Sequence, residues 1–231
     1  PSDARRPHLR KVRPMTALAE DPTAAAVLAE APCYPVPPDG RSPAIEAVRE
    51  ARAGSCLAIG RDGVCLILRR AWLALDLPVT PPIPAYLPYG SIGVRRADLR
   101  CGLIPAELLR QVLEHFRAAL PNEAAAFILW DEANRRFWVD FPQIDRATPS
   151  HLTYRPPALP PHHHLICDIH SHGHGAAFFS ATDDADDAHA TKIALVVGRL
   201  GHTDGPAFAS RLCAGGMFLP LPRSPFFRRR S

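Results

Sequence analysis

His170, Ser171 and His172 close a short apolar run that begins Leu165-Ile166-Cys167. Residues two apart on a strand share a face, so the two histidines project together, about 6.6 Å apart along the chain. Imidazoles at that spacing can converge on one ion, with metal–nitrogen distances of about 2.0–2.1 Å. Ser180 follows after seven intervening residues, and Asp183 after two more. The stretch 180–183 reads as a loop entering a helix over 183–192, a segment rich in Ala and Asp. A helix starting there can turn Asp183 back onto the histidines. Two nitrogens and one carboxylate oxygen leave a fourth position open, which is the arrangement of a catalytic zinc site.

The pattern H-S-H, seven residues, Ser, two residues, Asp resembles the signature of the JAMM (MPN-plus, Prok-JAB) zinc metalloproteases. The resemblance covers about half the chain, residues 103–221. It implies an α+β fold, a cytidine-deaminase-like sandwich of a mixed sheet with flanking helices. It also implies a glutamate on an earlier strand. Glu123, opening the apolar run Ala124-Ala125-Ala126-Phe127-Ile128-Leu129 after a helix, is similar to that residue. The implied roles are Zn²⁺ on His170, His172 and Asp183, Glu123 as general base and then general acid, and Ser180 bonding the developing oxyanion. The implied substrate is an amide bond at the C-terminal tail of a ubiquitin-like protein. The tail F-F-S-A-T-D-D-A-D-D is similar to JAMM-like members of the bacterial PRTRC cassette, which makes a ThiF-related, E1-like protein an expected partner. Gly173 and Phe179 stand where the family commonly has prolines, which bears on cleft shape. Two rival readings are a non-catalytic scaffold in a plasmid- or chromosome-maintenance assembly, and a peptidase that releases a sulfur-carrier tail.

Plainer readings compete at each residue. Ser180 with Asp183 is also a helix-capping pattern, and Asp183 cannot fully serve as both cap partner and metal ligand. Asp184, Asp186 and Asp187 read as a solvated acidic face suited to the helix dipole. Asp168 shares the parity of the histidines and is a possible orienter of them. His162, His163 and His164 follow Pro160-Pro161 and read as an exposed loop; three consecutive residues on a strand cannot all face one ion. His174 shares the strand parity, but glycines on either side suggest that the strand has ended. Gly173 and Gly175 can make that loop mobile. Phe178 and Phe179 either pack beneath it or line a groove.

Stepping outward, the elements that must hold these residues follow from periodicity. Leu108, Leu109, Val112, Phe116 and Leu120 fall at helical spacing, and the helix ends before Pro121. A strand over 123–130, a turn at 131–134 and a returning strand over 136–141 follow. A further strand is expected at 151–154. After the metal strand and its helix, 193–198 reads as a buried strand paired with 207–212. Residues 43–102 read as a small module of their own. It holds a helix over 43–53 with Ser42 as N-cap and Pro43 at the first position, ended by Gly54. Its hairpin turns at Asp62-Gly63, and a third strand spans 71–77. The module carries no catalytic constellation, so its expected role is to position a partner or cover an edge of the next domain. Residues 1–42 read as largely disordered apart from a short helix near 24–31, and 222–231 as a basic tail.

Composition bounds the rest. Twenty-six prolines against fourteen glycines indicate stiff connections. No stretch approaches the ~18–20 apolar residues of a membrane span, and no secretory pattern opens the chain. The chain begins at Pro1, and Met15-Thr16-Ala17-Leu18 would make an ordinary start. Six scattered cysteines without a C-x-x-C pair argue against a cysteine zinc knuckle. Cys56, Cys65 and Cys167 read as small buried residues. The expectation is a reduced, cytoplasmic protein. The net charge of +4 owes much to arginines at both ends. No aromatic–basic interleaving accompanies them, which argues for solvated tails over nucleic-acid binding.

Overall fold

The computed structural model describes residues 22–81, 86–93 and 96–220. Its elements, in order, are α1 (Pro22–Glu30), β1 (Cys33–Pro35), α2 (Pro43–Glu50), β2 (Gly54–Gly60), β3 (Gly63–Arg70), β4 (Leu73–Pro78) and β5 (Arg96–Leu99). Then come α3 (Ala106–Ala119), β6 (Ala125–Asp131), β7 (Arg136–Asp140), β8 (Ile144–Thr148), β9 (His151–Tyr154) and β10 (His163–Ser171). The remainder is α4 (Ala181–Asp187), β11 (Lys192–Gly198), β12 (Ala207–Ala214) and β13 (Met217–Pro220). One sheet runs β1-β2-β3-β4-β5; a second runs β13-β12-β11-β10-β6-β7; β8 and β9 form a separate two-stranded hairpin. The second sheet is mixed, since β10 lies parallel to β11 and antiparallel to β6. This is the expected α+β sandwich preceded by a β-rich N-terminal module. Among the described residues, no helix is long and apolar enough to cross a membrane.

The strand that carries His170, β10, lies inside the second sheet, between β11 and β6. Ile166, Cys167 and Ile169 are buried, and so are their neighbours on β6 and β11. A strand flanked by partners on both edges, with both faces covered, reads as a continuous apolar run. Against one face of this sheet packs α3, whose Leu108, Val112 and Phe116 recur at helical spacing and are all buried.

That core does not stop at the module boundary. Leu66, Leu68, Trp72, Leu73 and Leu75 of the first sheet join Ile104, Val112, Phe116, Ile128 and Ile169 in a single cluster. The first sheet has one smaller core to itself, built on Val36, Ile45, Cys56, Ala58, Cys65 and Ile67. Residues 43–102 are therefore not packed as an isolated unit, and they cover the second sheet with side chains the sequence reading assigned to the module alone.

Other differences have local causes. Within the stretch read as disordered, Cys33-Tyr34-Pro35 adds parallel to β2, with Leu57 N–H donating to Pro32 O and Val36 N–H to Ile59 O, both at 2.8 Å. Proline is tolerated there because β1 is an edge. The helix over 43–53 ends early, at Glu50, because Ala51 is already extended; Gly54, at φ 151°, opens β2 and does not cap the helix. Ser42 makes no side-chain cap bond. β8 and β13 had no strong alternation to announce them. The Gly215-Gly216 turn, with φ of 58° and 77°, returns β12 into β13. Residues 1–21, 82–85, 94–95 and 221–231, which include both expected tails, lie outside the described residues.

Candidate metal centre

The ladder between β10 and β6 sets the first half of the site. His170 stands opposite Ala125. Continued by two residues, the antiparallel register sets His172 opposite Glu123, and cross-strand partners share a face. Backbone bonds carry the alignment past the strand end: Ser171 N–H donates to Ala124 O at 2.9 Å, and Ala124 N–H donates to Ser171 Oγ at 2.9 Å. Glu123 therefore precedes the strand proper, which begins at Ala125, two residues later than expected. Its own N–H is held by Thr148 O at 3.0 Å, in the β8–β9 turn. Ala125 matters for what it lacks, since a larger side chain beside His170 would occupy the face the imidazoles need.

Ser171 was passed over in the sequence, yet it is fully buried. The signal was present: it has the opposite parity to the histidines, so it points into the core, where a polar residue needs a reason. Ser171→Ala leaves the Ala124 N–H without its acceptor. We expect a loss of about 1–3 kcal/mol in urea unfolding.

The second half comes from α4. The helix starts at Ala181 and ends at Asp187, earlier at both ends than the 183–192 expected. Ser180 caps it. Ser180 Oγ accepts from Asp183 N–H at 3.2 Å, while Asp183 Oδ2 accepts from Ser180 N–H at 2.6 Å and from Ser180 Oγ–H at 2.7 Å. This reciprocal cap does not cost the ligand. Asp183 divides its carboxylate, with Oδ2 on the cap and Oδ1 facing His170 Nε2 at 3.4 Å. The conflict expected between the two roles is resolved within one side chain. The Ser180 hydroxyl proton is committed to Asp183 in this state, so bonding an oxyanion would require it to rotate.

The ligand atoms of His170, His172 and Asp183 lie within 4.8 Å of one another. The two Nε2 atoms are 3.3 Å apart. Tetrahedral bonds of about 2.0–2.1 Å separate neighbouring ligand atoms by roughly 3.3–3.4 Å. The spacings 3.3 and 3.4 Å are thus those of two edges of a zinc tetrahedron. The tautomer also fits. His172 Nδ1 lies 3.0 Å from Ala176 O, a carbonyl that can only accept, so Nδ1 carries the proton and Nε2 presents its lone pair. Burial lowers the pKa of His170, against the opposing pull of Asp183, and keeps this ring neutral as a ligand must be. The side chains of His170 and Asp183 are 14% and 20% exposed, so the cluster is reachable from solvent on one side. Burial raises the pKa of Glu123, with Asp183 adding to the rise and His172 opposing it. A proton acceptor nearer neutrality suits general base work.

The remaining sequence candidates fall elsewhere. The His174 ring lies over Gly201, where a Cβ would meet it at 2.6 Å. The loop after His172 is fastened and does not hang free: Gly175 N–H donates to His172 O, Arg199 N–H to Gly175 O and Leu200 N–H to Gly173 O. Gly173 adopts φ 52°, which explains the glycine. His163 and His164 belong to β10 and not to a loop; His164 Nε2 meets Glu132 Oε2 at 3.1 Å. Asp168 does not orient a ligand histidine. It accepts from Tyr154 O–H at 2.9 Å and from Lys192 Nζ at 2.5 Å. Asp187 is not part of a solvated face: it is 5% exposed and pairs with Arg211, whereas Asp184 and Asp186 are exposed as expected, Asp184 also reaching Arg211. Phe178 is exposed, with its ring edge-on to His172 at 4.7 Å, whereas Phe179 packs on Arg211.

Residues 21–100 match a domain of unknown function, DUF2016. None of the curated proteins compared with the chain gives a significant match. A solution structure of a protein from Desulfitobacterium hafniense is similar at 19% identity, over 51% of this chain and 88% of that one, with a TM-score of 0.36. Residues 105–212, which contain every candidate ligand and Glu123, match the family described as prokaryotic homologs of the JAB domain, and this supports the JAMM/MPN family for the half of the chain that builds the cluster.

Proposed function

We propose that the chain is a zinc-dependent hydrolase that cuts an amide or isopeptide bond at the C-terminal tail of a ubiquitin-like protein. On this reading it acts in the cytoplasm, within a PRTRC-type cassette that also supplies a ThiF-related partner. One observation carries the proposal: the ligand atoms of His170, His172 and Asp183 lie within 4.8 Å of one another, two of their spacings, 3.3 and 3.4 Å, match the edge of a zinc tetrahedron, and the continued register sets Glu123 beside His172. JAB-type domains include inactive members, so the presence of the whole set favours an enzyme.

His170 Nε2, His172 Nε2 and Asp183 Oδ1 would hold the ion. A zinc ion there supplies Lewis acidity, acidifying a water and polarising a carbonyl. The chain does the rest. The Glu123 carboxylate takes the proton of the attacking water and returns it to the leaving amine nitrogen, leaving two new termini and an unchanged enzyme. Ser180 Oγ–H, once turned from Asp183 Oδ2, donates to the oxygen on which charge develops. Phe178 offers an exposed ring beside His172, against which an extended tail can lie.

The test has two arms. Elemental analysis of the purified protein should give close to one zinc per chain. Incubation with a tail-extended ubiquitin-like protein, read by mass, should give two products that differ from the substrate by one water. Zinc without cleavage of any tail would leave a metal-binding scaffold and overturn the hydrolase reading.

A further inference from the structure

Behind the metal cluster, α4 is held by a chain of buried charge that the proposed chemistry does not use. Arg211, on β12, is 5% exposed. Its Nε and Nη2 donate to Asp187 Oδ2 at 3.2 and 2.7 Å, and its Nη1 donates to Asp184 Oδ1. The guanidinium is stacked between two rings, with Cζ 3.9 Å from the centroids of both Phe179 and Phe218. The other oxygen of Asp187 meets Lys192 Nζ at 2.8 Å, and the same ammonium meets Asp168 Oδ2 at 2.5 Å. Asp168 lies two residues before His170 on β10.

The consequence is geometric. Phe179 immediately precedes the cap, Asp184 immediately follows the ligand, and Asp187 ends the helix. One guanidinium therefore grips α4 at its entry, first turn and last turn. One ammonium ties the end of that helix to the strand that carries the histidines. We propose that Arg211 and Lys192 are positioning residues for the metal centre: acting through Asp184, Asp187 and Asp168, they fix the distance between the Asp183 carboxylate and the two imidazoles. This rests on the zinc reading above. Burying two cations with the carboxylates of Asp168 and Asp187 is a poor way to gain stability, because desolvation offsets most of the attraction and apolar replacements are often as stable. Their directionality is what apolar packing lacks. The planar fork of Arg211, stacked on both faces, cannot be reproduced by an ammonium. The arrangement also accounts for most of the F-F-S-A-T-D-D-A-D-D stretch, where Phe179, Asp184 and Asp187 all address one residue.

The experiment measures zinc affinity by competition with a chromophoric chelator, alongside thermal unfolding of the metal-free protein. Arg211→Lys keeps the charge and loses the fork. Asp187→Asn keeps the shape and weakens both grips. Each is expected to weaken zinc binding about 10–100-fold, the usual cost of disturbing groups that support ligands. Val112→Ala, a core truncation on α3, serves as control: it lowers the melting temperature and leaves zinc affinity unchanged. If both variants bind zinc within about twofold of wild type, the pair only stabilises the fold and the inference is overturned. Wild-type protein that takes up no zinc overturns the hydrolase reading, and this inference with it.

Discussion

On the proposed reading, Glu123→Gln is expected to retain zinc and to lose hydrolysis, with a fall in kcat of at least about 10²–10⁴-fold. Glutamine has the shape of glutamate and cannot take a proton. Nothing else around it changes, because the alignment of Glu123 rests on backbone bonds: its own N–H on Thr148 O, and the paired bonds between Ala124 and Ser171. The carboxylate is not among the three groups that converge, so metal content is preserved. The expectation is specific in its split between binding and chemistry. Cleavage assays by mass, beside elemental analysis of the same preparation, measure both. An E123Q protein that still cleaves would assign the proton transfer elsewhere.

His172→Ala gives the opposite split, losing the metal itself. Two things go at once. The Nε2 ligand is removed, and so is the Nδ1–H bond to Ala176 that fastens the following loop. Loss of one of three protein ligands should exceed the roughly 10–100-fold cost of disturbing an outer partner. The readout need not involve a substrate. Zinc at about 100 times its Kd should stabilise the wild-type fold by about 2.7 kcal/mol, since it binds the native state and not the unfolded chain. The variant should show no such rise under the same conditions. An equal zinc-dependent increase in its melting temperature would place the ion elsewhere.

The sequence made the cluster readable because strand parity and one short loop carry most of it. Two histidines at i and i+2 share a face whatever the sheet does, and Ser180 with Asp183 marks a helix entrance. The division of the Asp183 carboxylate was not readable, because it depends on the rotamer that the cap selects. The role of Asp187 was hidden for another reason. Asp184, Asp186 and Asp187 near a helix start read alike as solvated until β12, more than twenty residues downstream, delivers Arg211 against the buried Asp187. Lys192 was likewise read as the end of a helix, and its job is visible only once β11 lies parallel to β10. Long-range pairing of opposite charges leaves no periodic trace. In the fold, the long apolar runs of β6, β10 and β11 announced themselves. The edge strands β1, β8 and β13 did not, because short edge segments have little apolar alternation and are stabilised by the neighbour they join.

Leu66 and Leu75 of the first sheet, with Trp72 in the turn between them, share a single apolar interior with Val112 and Phe116 of α3 and Ile128 of the second sheet. Two stretches that match separate families are thereby bound to a common fate. A piece cut near residue 103 would be left with a bare greasy flank, and work on the half that matches the JAB homologs alone would report on a damaged molecule. Ile169, on the strand where the histidines stand, belongs to that same interior.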